Sequence, residues 1–211
     1  MQLVAVNLGL PRSLEVGQRS TTTGIFKQPV PGPVRVTALG LEGDAVMDAE
    51  HHGGPDQAVY VYSREDYDRW AEQLGEALEP GTFGENLTVS SFGPGPVRLG
   101  DRYRIGTALL EVTAPRIPCA TLAARMNDLA FVKRFRQMRR PGFYARVLEE
   151  GTVTAGDAAR RIPAAHDFVT LDEVFELFYD ARPPEAALRR ILEAPAALRL
   201  RRHTEAALAQ R

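Results

Sequence analysis

From residue 1 to about 160 the chain alternates short apolar runs with turns rich in Gly, Pro and polar residues. This is the pattern of many short strands in a barrel or sandwich. The runs predict strands at Leu3–Leu8, Val34–Leu39, Ala58–Tyr62, Asn86–Val89, Val97–Leu99, Tyr103–Ile105, Leu109–Thr113 and Phe143–Val147. Their spacing is too tight for repeated βαβ units. Three helices interrupt them. Ser63 can cap Arg64–Leu74, whose Tyr67, Trp70, Ala71 and Leu74 share one face, and Thr121–Met126 and Asp128–Arg139 follow later. After residue 166 the texture becomes helical. Thr170 and Glu173 form a capping-box pattern, Pro184 opens Glu185–Leu192, and a third helix runs from about Ala196 to Ala209. Residues 156–167 read as a linker. Three helices of about ten residues cannot bury a core alone, so they are expected to pack on the β region or on a partner.

Composition narrows the picture without deciding it. The 211 residues are 44% hydrophobic and 25% charged, with a formal net charge of -1. That balance gives no drive toward nucleic acid or anionic membrane. The N-terminal run lacks a basic leader, and no stretch approaches about 18 uninterrupted apolar residues. With a single cysteine as well, the expectation is the cytoplasm. Only Lys27 and Lys133 among the 26 basic residues are lysines. A lysine retained in so arginine-rich a chain points to a need for a compact ammonium.

Cys119 is that single cysteine, in Ala114-Pro115-Arg116-Ile117-Pro118-Cys119. It cannot form an internal disulfide, so it is either a core filler or a chemical centre. Two prolines fix its backbone, and Arg116 places a permanent positive charge three residues away, which favours the thiolate. A thiolate is a nucleophile or a soft-metal ligand.

Three further segments carry candidate chemistry. In His51-His52-Gly53-Gly54-Pro55-Asp56, adjacent imidazoles of an extended chain face opposite ways, and His52 is the favoured site residue. Gly81-Thr82-Phe83-Gly84-Glu85-Asn86 suits presentation of the Asn86 amide at a strand's mouth. Thr21-Thr22-Thr23-Gly24-Ile25-Phe26-Lys27 offers three hydroxyls and an ammonium. Together with Arg116 and Arg125 it could clamp a phosphate-bearing ligand, although a solvated loop is the plain alternative. Arg125, Lys133, Arg134, Arg136, Arg139 and Arg140 make the helices after Cys119 basic. Such a run is either a solvated face or a landing site for an acidic partner.

Taken together, Thr22–Lys27, Gly40–Asp44, His51–Asp56, Gly81–Leu87 and Pro115–Cys119 resemble the MOSC domain family, specifically its bacterial YiiM-type branch. The resemblance implies a mostly β fold with α: a closed, strongly bent β-barrel over residues 1–160 with peripheral helices, and a small C-terminal three-helix segment over 167–211. It also implies a molybdenum cofactor (molybdopterin) whose metal is ligated by Cys119. Thr23, Lys27, His52, Asn86, Arg116 and Arg125 would contact the cofactor, and His52 is the candidate proton donor on chemical grounds, since an unperturbed imidazole titrates near neutrality. The implied activity is reduction of N-hydroxylated bases such as hydroxylaminopurine. The chain shows no dinucleotide fingerprint and no cysteine cluster, so electrons would come from a separate flavin or iron–sulfur protein. A homodimer would be one way to bury the C-terminal helices. Two other readings stand beside this one: a cofactor carrier without turnover, and a sulfurtransferase passing a Cys119 persulfide.

Overall fold

The computed structural model describes residues 1–47 and 53–210. Thirteen strands and six α-helices are found among them: β1 (Leu3–Leu8), β2 (Arg12–Val16), β3 (Arg19–Thr23), β4 (Gln28–Pro29), β5 (Val34–Thr37), β6 (Gly40–Leu41), β7 (Val59–Ser63), α1 (Arg64–Leu74), β8 (Leu87–Val89), β9 (Arg102–Ile105), β10 (Ala108–Pro115), α2 (Ala120–Arg125), α3 (Phe131–Met138), β11 (Phe143–Glu149), β12 (Gly151–Val153), β13 (Ala159–Ile162), α4 (Leu171–Tyr179), α5 (Glu185–Glu193) and α6 (Leu198–Ala209). A short 3-10 turn at Pro55–Gln57 precedes β7.

The main sheet has eight strands in the order β13-β9-β10-β11-β7-β8-β1-β4, antiparallel except for the parallel pair β7 and β8. Two smaller sheets are β12-β5-β6 and the hairpin β2-β3. The expected closed barrel is therefore corrected to a mixed α/β fold with an open sheet ending at β13 and β4. The sheet bends until Gln2 meets Ala158 in one isolated bridge, but no continuous ladder joins its ends.

Strand β7 shows why the sheet is buried on both faces. All five of its residues are buried. Val59 and Val61 join the main aliphatic core with Leu3, Leu87, Leu110 and Phe143. Tyr60 and Tyr62 point the other way, into an aromatic layer with Tyr67 and Trp70 of α1, Phe83, and Phe131 and Phe135 of α3. An alternating strand covered on both sides reads as a continuous apolar run. Trp70 Nε1 donates to Tyr62 Oη at 2.8 Å, which satisfies the one polar atom its ring carries into that layer.

The helices follow their predicted signals. Ser63 accepts from the Asp66 amide at the start of α1, and Thr170 and Glu173 complete a reciprocal capping box on α4. Val174, Leu188, Ile191 and Ala194 belong to the same core as the sheet, and α4 lies against β10, so the C-terminal helices are packed on the β region. Two expectations fail locally. Val97–Leu99 is not a strand and contributes only the Arg98–Thr170 bridge. The expected linker contains β13, whose residues pair with β9 from Ala159 to Ile162.

Candidate functional site

The ends of β1, β3 and β10 converge beside loops 42–47 and 81–86. Close backbone approach makes this possible. A Cβ on Gly24 would sit 1.9 Å from the Ala45 carbonyl oxygen, so only glycine lets β3 turn in so tightly. Gly84 has φ +77, and a Cβ there would fall 2.9 Å from an Ile25 side-chain carbon. These contacts enclose a cavity of about 130 Å³ lined by Thr23, Lys27, Asp44, Tyr60, Asn86, Arg116, Cys119 and Tyr144, with the exposed Thr21 and Thr22 also on its wall.

Lys27, Asn86, Arg116 and Cys119, up to 92 residues apart (119 minus 27), thus share one concave space with Thr23. Arg125 is not part of that lining. It stacks on Phe26 at 4.6 Å, with Arg12 on the same ring at 4.3 Å. Arg12 is the cross-strand neighbour of Thr23 in the β2–β3 hairpin, and α2 packs on β2. Two guanidiniums therefore converge on one aromatic ring next to the threonines. Burial, and then the neighbouring Arg12, pull Arg125 below the usual arginine range, and its buried Nε has no hydrogen-bond partner. His52 lies outside the described residues.

Asp44 organises the polar side of the cavity. Its carboxylate accepts from the Gly9 amide at 2.8 Å, from Asn86 Nδ2 at 2.8 Å and from Lys27 Nζ through both oxygens. The Lys27 and Asp44 side chains are 8% and 2% exposed. Burial pulls Lys27 below the usual lysine range, against the pull of Asp44, which favours its charge. Asn86 Oδ1 accepts from the Tyr60 amide at 3.1 Å, so this amide braces two segments at once.

Arg116 is the cation not matched by a contacting carboxylate. It is 4% exposed, donates Nη1 to the Phe83 carbonyl at 2.8 Å, lies 4.8 Å over the Tyr60 ring, and keeps a buried Nε without a partner. Burial opposes its charge, but Tyr144, Tyr60, Cys119 and Glu85 outweigh that and hold it above the ordinary arginine range. Cys119 sits just ahead of α2, and its carbonyl accepts from the Leu122 amide at 3.1 Å.

Sequence reasoning gave no role to Asp44 or Arg12. Asp44 was visible as the acid in Gly43-Asp44, but its partner Lys27 is 17 residues away and only folding shows the pair. Arg12 carried no signal, because it opens β2 as an exposed polar residue and its pairing with Thr23 shows only in the folded hairpin. The residues present suit an anionic, thiol-ligated cofactor. A single thiol faces a cavity with a buried guanidinium, hydroxyls stand on its wall, and a further guanidinium pair lies just outside. Among the described residues no group of three or more His, Cys, Asp or Glu could hold a metal ion unaided.

Comparison with known proteins agrees with the residue pattern. Residues 48–160 match the model of the MOSC domain family. The uncharacterized protein YflK of Bacillus subtilis is 36% identical over 190 residues, covering 90% of this chain and 86% of YflK. A protein of Gibberella moniliformis named reductase is 37% identical over 140 residues, which is 64% of this chain but 25% of that longer protein. The crystal structure of YiiM from Geobacillus stearothermophilus superposes with a TM-score of 0.80 at 32% identity and covers 98% of each chain.

Proposed function

The chain belongs to the MOSC domain family, in its YiiM-type branch, and on that footing we propose that it reduces N-hydroxylated bases such as hydroxylaminopurine with a molybdenum cofactor. The observation that carries this reading is the single thiol of Cys119 in one cavity with the buried Arg116, the Lys27–Asp44 pair and the Thr23 hydroxyl. The name reductase on one relative points the same way.

Under this proposal Cys119 contributes its thiolate as metal ligand, and Arg116 offers its guanidinium to the pterin end. Thr23, together with the Arg12 and Arg125 pair, meets the phosphate, where two converging guanidiniums gain most from a multiply charged oxyanion. Lys27 acts through Asp44, which fixes its ammonium and the Asn86 amide so that loops 42–47 and 81–86 keep their shape. When bound, the cofactor would supply the two-electron chemistry that no side chain here supplies alone. The overall change is R–NHOH + 2 electrons + 2 H⁺ → R–NH₂ + H₂O. His52 is the proposed proton donor, since an unperturbed imidazole titrates near neutrality.

The two electrons would come from a separate flavin or iron–sulfur protein. Its proposed landing site is the basic surface of α2 and α3. That face is less positive than the sequence suggests, because Arg134 pairs with Asp128, Arg139 with Glu176 and Arg140 with Asp66. Lys133 and Arg136 lie outside those pairs, and both are exposed.

The test is turnover of hydroxylaminopurine to aminopurine by purified protein with a chemical reductant, with and without prior removal of molybdenum. Metal-dependent production of the amine supports the proposal. Molybdenum-loaded protein that yields no amine would leave the cofactor-carrier reading. Protein that holds no molybdenum yet accepts a persulfide on Cys119 would favour the sulfurtransferase.

A further inference from the structure

The cavity at Cys119 measures about 130 Å³. A cofactor reaching Cys119 would fill this space, so a second ring system must be seated elsewhere. A separate cavity of about 110 Å³ shares Tyr144 as a wall with the first. The segment that carries Cys119 is split between the two: Arg116 and Cys119 face the first cavity, while Pro115 and Ile117 face the second. Gln57 and Ala58 divide in the same way.

We propose that this second cavity, closed from outside by α4 and α6, is the seat of the substrate's planar heterocyclic ring, with its exocyclic nitrogen directed past Tyr144 toward Cys119. Three features suit such a ring. Phe178 of α4 and His203 of α6 stack on each other at 4.7 Å and 25°, which gives flat π-faces at the mouth. Aromatic faces of this kind hold nucleobases of any sequence by stacking. Gln57 is buried beside them and lines the same cavity. An amide is both donor and acceptor, the pairing that reads an adenine-type edge. Finally, a larger cavity of about 540 Å³ between α4, α5 and α6 shares Val174, Phe178, Leu200 and His203 with the seat and provides a way in from solvent. This assignment rests on the reductase reading for its substrate, and it gives the C-terminal helices a part in binding that their packing alone does not require.

The experiment is a fluorescence titration of the purified full-length protein with 2-aminopurine, a stable base whose emission is quenched on stacking. Parent protein is expected to quench saturably. Exposed His203→Ala should weaken binding about tenfold through loss of one stacking face, and Leu200→Trp, which fills the cavity, should abolish it. Unchanged unfolding midpoints in both variants would show that the fold is intact. Absence of saturable quenching, or equal affinity in parent, His203→Ala and Leu200→Trp, would overturn the proposal. Because the titration needs neither metal nor turnover, failure of the ring seat and failure of the reductase reading are separately visible.

Discussion

Asp44 ties the Gly9 backbone, Lys27 and Asn86 into one cluster, and its near-complete burial makes that cluster expensive to break. Removing one member of a buried ion pair typically costs about 3–5 kcal/mol, because the other charge is left without compensation. Asp44→Asn should therefore lower the unfolding free energy by about that amount. The double variant Asp44→Leu with Lys27→Met should recover most of it in urea titrations. Equal stability of Asp44→Asn and the parent would contradict the geometry. Glu85 is a second buried acid. Its Oε1 accepts from Tyr67 Oη at 2.6 Å, the Gly81 amide at 2.7 Å and Thr88 Oγ1 at 2.8 Å, while Oε2 has no partner. Burial raises this carboxyl above the usual carboxylate range in spite of those bonds. A folded pKa above the unfolded value of about 4.3 means that the folded state holds the proton more tightly. The resulting stability is present below that value and fades as pH rises through the folded pKa. Glu85→Gln should thus gain stability relative to the parent as pH rises from about 4 through the folded pKa of Glu85. A steady relative loss over the same range would reverse the sign and refute the assignment.

Among the elements, α6 depends on a contact that no local pattern announces. Asp56 Oδ2 accepts from the Leu198 amide at 3.0 Å at the start of the helix, and Asp56 Oδ1 lies 3.1 Å from Arg146. Loss of such a cap costs about 0.5–2 kcal/mol. Asp56→Ala should speed amide exchange in the first turn of α6 while leaving α1 unchanged, and equal protection in both would argue against the cap. The same scale shows what was legible in the sequence. Helices α1 and α4 announced themselves through Ser63 and the Thr170–Glu173 box, and β1 through Val4-Ala5-Val6 between polar turns. Hairpin β2–β3 did not, since the Arg-Ser-Thr-Thr-Thr of β3 has no apolar alternation and reads as a polar loop. Strand β13 was hidden for the same reason: Ala159 is buried, but Arg160, Arg161 and Ile162 are not, so the run resembles a linker. The members of the site were readable as motifs, but their joining by Asp44 was not, because an ion pair between loops leaves no periodicity.

For the molecule as a whole, the sheet's curvature matters more than closure. Open edges at β13 and β4 leave the ends of β1, β3 and β10 free to gather the site, while α4 and α6 cover the outer wall of the second cavity. Leu171, Val174, Leu188 and Ile191 share a core with the sheet, so a chain truncated after Pro163 should be poorly soluble, and a soluble monomeric fragment would show that the helices are a detachable unit. The central claim is that Cys119 retains molybdenum in a cradle built by the rest of the chain. It is tested most directly by measuring molybdenum per chain in purified parent, Cys119→Ser and Arg116→Met proteins prepared side by side, with circular dichroism confirming the fold of each. The account predicts near-stoichiometric metal in the parent, loss in Cys119→Ser at unchanged secondary structure, and partial loss in Arg116→Met. Equal molybdenum in parent and Cys119→Ser, or none in a folded parent from cells that make the cofactor, would contradict it.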